Sequence, residues 1–223
     1  MGDEIDAVMI SLKQFAQNFS DEDVIKWAFI RGPVGVAPPN PQSLPLIEQL
    51  EIYQNLIGFS DFLSSLGIVD TGQAAMNTAF EMLLDAIYLS VQNITNSLPI
   101  PLTGLEWDPN VASNKTIMSD PLLQNFNVDW RPGANRIIIV FSDEAPQSYL
   151  DPKLGLEDIK AAVAGTPQLK LYTFTRSDLD KQKWEQIAIA GNGQWYKLTN
   201  NPTEMYFSLM EILDEICKGG SNE

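Results

Sequence analysis

The sequence predicts an α/β fold: a Rossmann-like, mostly parallel sheet with helices on both faces, from which the first central strand is missing. Three observations predict it. Strand-like and helix-like segments alternate, which favours a parallel sheet covered by helices. Within "NRIIIVFSDEAPQ", Ile137 to Val140 are apolar without a break, as in a strand buried on both faces. Finally, the chain opens directly on an amphipathic helix, whereas in this fold class such a helix follows a strand whose carboxyl end supplies the site.

Ile5, Val8, Leu12, Phe15, Ala16 and Phe19 recur at helical spacing and predict a helix over 3–19, with Asp3 as N-cap and Asp6 as N3. "VIKWAFI" (24–30) reads as a strand. Gly32 to Pro45 holds five prolines, which forbids regular structure and marks a loop. "LEIYQNLI" (50–57) alternates as a second strand. A short helix at 60–66 and a long apolar helix over 78–94 follow. The stretch 97–132 is rich in Pro, Asn, Asp and Ser without a period, and reads as an inserted surface loop. After the strand at 136–141 come a helix at 156–164, the strand "LKLYTFT" (169–175) and a helix starting at Ser177 with Asp180 three residues on. "GQWYKLT" closes the sheet. "NPTE" opens the last helix with Asn201 as N-cap, Pro202 as N1 and Glu204 completing a capping box. A chain of 223 residues, 44% hydrophobic, is enough for one sizeable core, so one domain is expected over 1–218.

The formal net charge is −15, from 29 acidic and 14 basic residues. Such a surface repels nucleic acid and anionic membranes and suits cation binding or solubility. With no histidine, Ser-His-Asp and Cys-His catalysis, histidine-ligated zinc and a histidine general base are all excluded. A single cysteine, Cys217, excludes an internal disulfide. No apolar run reaches the length of a membrane span, and no signal-peptide pattern opens the chain, so membrane insertion is not expected. "AGNGQ" (190–194) precedes a strand rather than a helix and reads as a turn, not a phosphate loop. Trp107, Trp130, Trp184 and Trp195 are scattered along the chain and read as packing residues rather than as platforms for base stacking. Asn93-Ile-Thr95 and Asn114-Lys-Thr116 match the glycosylation pattern, which occurs often by chance.

The order of elements, with "GNGQWYKLTNNPTEMYFSLMEILDEI" at the end and "RIIIVFSDEAPQ" in the middle, resembles the von Willebrand factor type A family over nearly the whole chain. The resemblance implies a divalent cation held by an Asp-x-Ser-x-Ser motif after the first strand, a Thr or Glu opening a later helix and an Asp after the central strand. Asp143 matches the last. Glu81, five residues before Ala86 in "EMLLDAI", matches the second and resembles the integrin β-subunit variety. A carboxylate in the first turn of a helix, favoured by the macrodipole, is the other reading of Glu81. Asp-x-Ser-x-Ser occurs nowhere in the chain. Met1-Gly2-Asp3-Glu4 is similar to the residues that follow that motif, where a pair of acids joins an adjacent cation site; helix capping is the alternative role of Asp3 and Glu4.

The resemblance thus implies a metal set of Asp143, Glu81, Asp3 and Glu4. The cation would be Mg²⁺, with Ca²⁺ or Mn²⁺ as alternatives, bound weakly because the set is incomplete. It implies a non-enzymatic adhesion module that takes an acidic group of a protein ligand, an extracellular or cell-surface setting, and self-association where the missing strand leaves backbone unpaired. Two rivals stay open: a metal-independent scaffold using the acidic surface or the 97–132 loop, and a nucleotide-dependent α/β enzyme. The second lacks a glycine-rich strand-to-helix turn.

Overall fold

The computed structural model describes residues 2–17, 25–31, 49–53, 83–96, 98–101, 125–148, 150–176 and 180–219. In chain order the elements are α1 (Gly2–Ala16), β1 (Trp27–Arg31), β2 (Gln49–Tyr53), α2 (Leu83–Asn96), β3 (Ile100–Pro101), β4 (Asn125–Phe126), β5 (Arg136–Ser142), α3 (Leu156–Ala164), β6 (Leu169–Thr175), α4 (Lys181–Ala190), β7 (Trp195–Lys197) and α5 (Pro202–Gly219). They divide into two compact units, one of 1–27, 53–73 and 198–223, the other of 28–52 and 74–197.

In the first unit α1 packs on α5. Val8, Leu12, Phe15 and Ala16, picked out by their spacing, are buried, and the Ser11 hydroxyl donates to the Pro202 carbonyl at 2.7 Å. Helix α1 starts at Gly2, so Asp3 lies inside the first turn rather than capping it. At the head of α5, the Asn201 Oδ1 accepts the Thr203 N–H at 3.0 Å, and Glu204 accepts from the Asn201 side-chain amide at 3.1 Å. Asn201 is therefore the cap, but Glu204 closes on its side chain rather than on its backbone N–H. That backbone group donates to Thr199 Oγ1 instead.

The second unit is built on a parallel ladder in the order β5-β6-β7. Arg136 pairs with Leu169 and Ser142 with Thr175, and then Thr173 with Trp195 and Thr175 with Lys197. Here α-helices and a small parallel sheet form an α/β arrangement. The alternation of side chains sorts the ladder into two faces. Val140, Leu169 and Leu171 lie in one core cluster with Leu84, Ile87, Val91 and Ile94 of α2, Ile159 and Val163 of α3, and Trp184, Ile187 and Ala188 of α4. On the other face, Phe141 stacks on Phe174 and Phe174 on Tyr196, with ring centroids 5.0 and 4.9 Å apart.

Three expectations are corrected. The strand of 24–30 starts at Trp27 and, among the described residues, pairs with β2 in its own two-stranded sheet instead of joining β5, β6 and β7. The run Ile137 to Val140 is not the centre of the described sheet: β6 is, with six of its seven residues buried, while Ile137, Ile138 and Ile139 are half-buried. An apolar run records that a strand is wanted in a core; only its partners decide how deep it sits. The helix expected from Ser177 begins at Lys181, and Asp180 precedes it in the left-handed region at φ 50°. Ser177 itself lies outside the described residues, as do the helix of 60–66 and the proline-rich loop of 32–45.

The 97–132 segment is not wholly irregular, since Ile100 pairs with Phe126 and Pro101 with Asn125 in an antiparallel ladder. Asn93 organises its base. The Asn93 Nδ2 donates to the Leu98 carbonyl at 2.9 Å and to Asn127 Oδ1 at 3.1 Å, while its Oδ1 accepts the Val128 N–H at 2.9 Å. The Asn93 side chain is thus buried and committed to the fold. The turn after α4 is also set by packing: a Cβ on Gly193 would lie 2.1 Å from the Leu171 carbonyl oxygen, so only glycine lets the chain pass there.

Asn93→Ala is expected to destabilise the chain by about 1–3 kcal/mol, since it leaves the buried Val128 N–H without its acceptor and removes the donor to the Leu98 carbonyl. Urea melts of the variant test this. Expression through a eukaryotic secretory pathway should leave Asn93 unmodified in the folded protein, as mass spectrometry would show.

Candidate functional site

Open α/β sheets offer ligands the crevice beyond the carboxyl ends of their strands. Here those ends are Ser142, Thr175 and Lys197, side by side in register. Ser142 and Thr175 are fully buried and neither carries charge. The Thr175 Oγ1 accepts the Trp195 indole N–H at 2.7 Å, and the Lys181 ammonium sits 4.2 Å from the centre of the Trp195 ring. That contact holds one cation close to the edge.

Beyond Ser142 the chain turns at once. The Ser142 Oγ accepts the Glu144 N–H at 2.9 Å and lies 3.2 Å from the Glu144 carbonyl oxygen. The Trp184 indole N–H donates to that same carbonyl at 2.9 Å. Further on, the Leu84 N–H donates to the Gln147 carbonyl at 3.1 Å, the Ser148 hydroxyl donates to Asp85 Oδ1 at 2.5 Å, and the Leu154 N–H donates to Ser148 Oγ at 3.0 Å. The segment that carries Asp143 and Glu144 is therefore tied to α4 at one end and to the first turn of α2 at the other. Its backbone is committed, and its two carboxylates stand half-exposed.

Asp143 stands where the sequence places it, at the tip of the strand. Its neighbour Glu144 was not singled out by the sequence reading. The Glu144 carboxyl is pushed above its ordinary value, first by burial and then by the Asp143 charge beside it, while the Arg176 guanidinium pulls the other way. Glu81 lies outside the described residues. Asp3 and Glu4 lie in the first turn of α1, in the other compact unit. Among the described residues no three acids or cysteines gather as metal ligands. Asp143 and Glu144 place two carboxylates at this edge, and the Ser142 Oγ accepts the Glu144 N–H.

Besides Glu144, sequence reasoning missed Asp85 and Ser148, both buried. A signal for Asp85 existed: it interrupts the apolar stripe of "EMLLDAIYLSV", four residues before the buried Leu89. Trp184, read as a packing residue, is one, and it also positions the site. No family model matches the chain, and no curated protein is detectably similar to it.

The Glu144 shift has a sign that can be checked. A carboxyl whose native pKa is raised binds its proton more tightly folded than unfolded. Its contribution to stability is present below the unfolded value, near 4.5, and is lost as pH rises through the native value. Glu144→Gln is therefore expected to raise the melting temperature above that of the parent chain at neutral pH in EDTA, with the difference shrinking toward acid. Calorimetric melts across pH test this; a difference that is flat or grows on acidification contradicts it.

Proposed function

We propose that this chain is a non-enzymatic protein-binding domain of the von Willebrand factor type A kind. Its sheet would be completed by helices on both faces, and its cation site, at Asp143, is incomplete. The observation that carries the reading is the turn Ser142-Asp143-Glu144: a rigid loop that holds carboxylates at the carboxyl edge of a parallel sheet, where the resemblance calls for a cation ligand. Recognition suits these groups better than catalysis. The buried hydroxyls at the edge face backbone and indole partners, and the chain has no histidine to act as base. In this reading Mg²⁺, or Ca²⁺ or Mn²⁺ in its place, would keep an open coordination position for an acidic group of the partner, with Glu81, Asp3 and Glu4 as further ligands. The acidic surface disfavours nucleic acid. None of the described helices is long and apolar enough to cross a membrane.

A second reading is a scaffold that binds its partner without metal, through its acidic surface. Titration calorimetry with Mg²⁺ separates the two. The chain as it stands is expected to bind Mg²⁺ weakly or not at all. A version extended upstream with an Asp-x-Ser-x-Ser strand is expected to bind, and Asp143→Ala in it to weaken binding by about tenfold or more, since an octahedral site gains affinity only when several ligands are held together. An extended chain that stays silent, or one indifferent to Asp143→Ala, leaves the metal-free scaffold.

A further inference from the structure

A carboxylate buried in the second unit has no part in the reading above. Asp85, in the first turn of α2, is fully buried, and the Ser148 hydroxyl donates to it. Burying a carboxylate costs free energy unless hydrogen bonds and charge compensation offset the lost hydration, and an apolar residue would fill a seat on an apolar stripe more cheaply. The return for that cost is where the bond leads. Ser148 also accepts the Leu154 N–H, so one hydroxyl joins the first turn of α2 to both ends of the 148–154 segment. One residue earlier, the Gln147 carbonyl takes the Leu84 N–H, a backbone bond that draws the loop and helix together in the same place. From there only two residues, Ala145 and Pro146, separate Gln147 from Glu144, whose carbonyl accepts the Trp184 indole N–H.

We propose that Asp85 is a positioning residue: by holding Ser148, it locks the Asp143–Glu144 turn to the first turn of α2, so that the two carboxylates are presented in one orientation to a divalent cation. The proposal rests on the cation reading of Asp143. The pair acts through the loop, not on the ligand. Without it, the segment keeps its Trp184 anchor but is released at Ser148, and a carboxylate pair that must reorient on binding gives weaker affinity than one already in place.

Four variants of the full chain test it: Asp85→Ala, Asp85→Asn, Ser148→Ala and Asp143→Ala. Hydrogen exchange is read at the Leu154 amide and through 143–148, with the β6 and β7 amides as the folding control; Mn²⁺ uptake is read by electron paramagnetic resonance. Asp85→Ala and Ser148→Ala should speed exchange at Leu154 about tenfold or more while the β6 amides keep their protection. Both should also weaken Mn²⁺ binding about three- to tenfold. Asp85→Asn, whose side-chain carbonyl still accepts the Ser148 hydroxyl, should retain most of both properties. Asp143→Ala should remove the Mn²⁺ response and leave exchange at Leu154 unchanged. Exchange that does not change in Ser148→Ala overturns the proposal, as does faster exchange with undiminished Mn²⁺ binding; where the parent chain takes up no Mn²⁺, uptake is read in the same variants of the upstream-extended chain, and silence there removes the cation reading. Binding that survives Asp143→Ala removes the cation reading instead and leaves the exchange result to decide whether the lock exists.

Discussion

The carboxyl edge of the sheet depends on Trp184. This side chain is fully buried among residues of α2, α3, β5 and β6, so it ties the helices to the ladder. Its one polar atom donates to the Glu144 carbonyl, so the packing that forms the core also fixes the loop where the strand ends. A buried indole contributes on the order of 3–5 kcal/mol to stability. Here that stability and the shape of the candidate site come from the same contact. The loop cannot be re-formed without disturbing the core, and the core carries the loop into place as it packs.

Around that anchor the buried seats are filled by hydroxyls and by one carboxylate with a partner. Ser142, Thr175 and Ser148 each have a hydrogen-bond partner, and Asp85 takes its proton donor from Ser148. The acids that meet solvent, Asp143 and Glu144, sit one step further out. This division follows from desolvation: hydroxyls can be buried against backbone groups at modest cost, whereas two adjacent carboxylates cannot both lose their water. Burial and the neighbouring Asp143 charge push the Glu144 carboxyl above its ordinary value in keeping with this. A divalent cation would relieve it, as would an arginine or lysine from a protein partner, so the same electrostatic imbalance underlies both readings of the function.

Much of the fold was legible because it is local. The helix of 156–164 and the strands of 136–142 and 169–175 follow from spacing and composition within a few residues, as does the cap at Asn201. Asp143 at the tip of its strand follows from the same local pattern. The burial of Asp85 was legible only as a break in an apolar stripe, because its partner Ser148 stands 63 residues away.

What the sequence by itself determined is therefore, among the described residues, the helices near 3–16, 83–94, 156–164 and 202–218 and the strands of β5, β6 and β7, the sign of the surface, the exclusion of histidine chemistry, and the carboxylate at the end of β5. Tertiary structure alone decided that β1 pairs with β2, that β6 rather than β5 lies in the middle of the parallel ladder among the described residues, and that the Asn93 side chain is buried and hydrogen-bonded. It also decided that Asp85, Ser148 and Trp184 hold the site loop. The physical reason is range. Periodicity, capping and turn chemistry are settled between neighbours a few positions apart, whereas strand partners and the mates of buried polar groups are chosen among residues that meet only once the chain has folded.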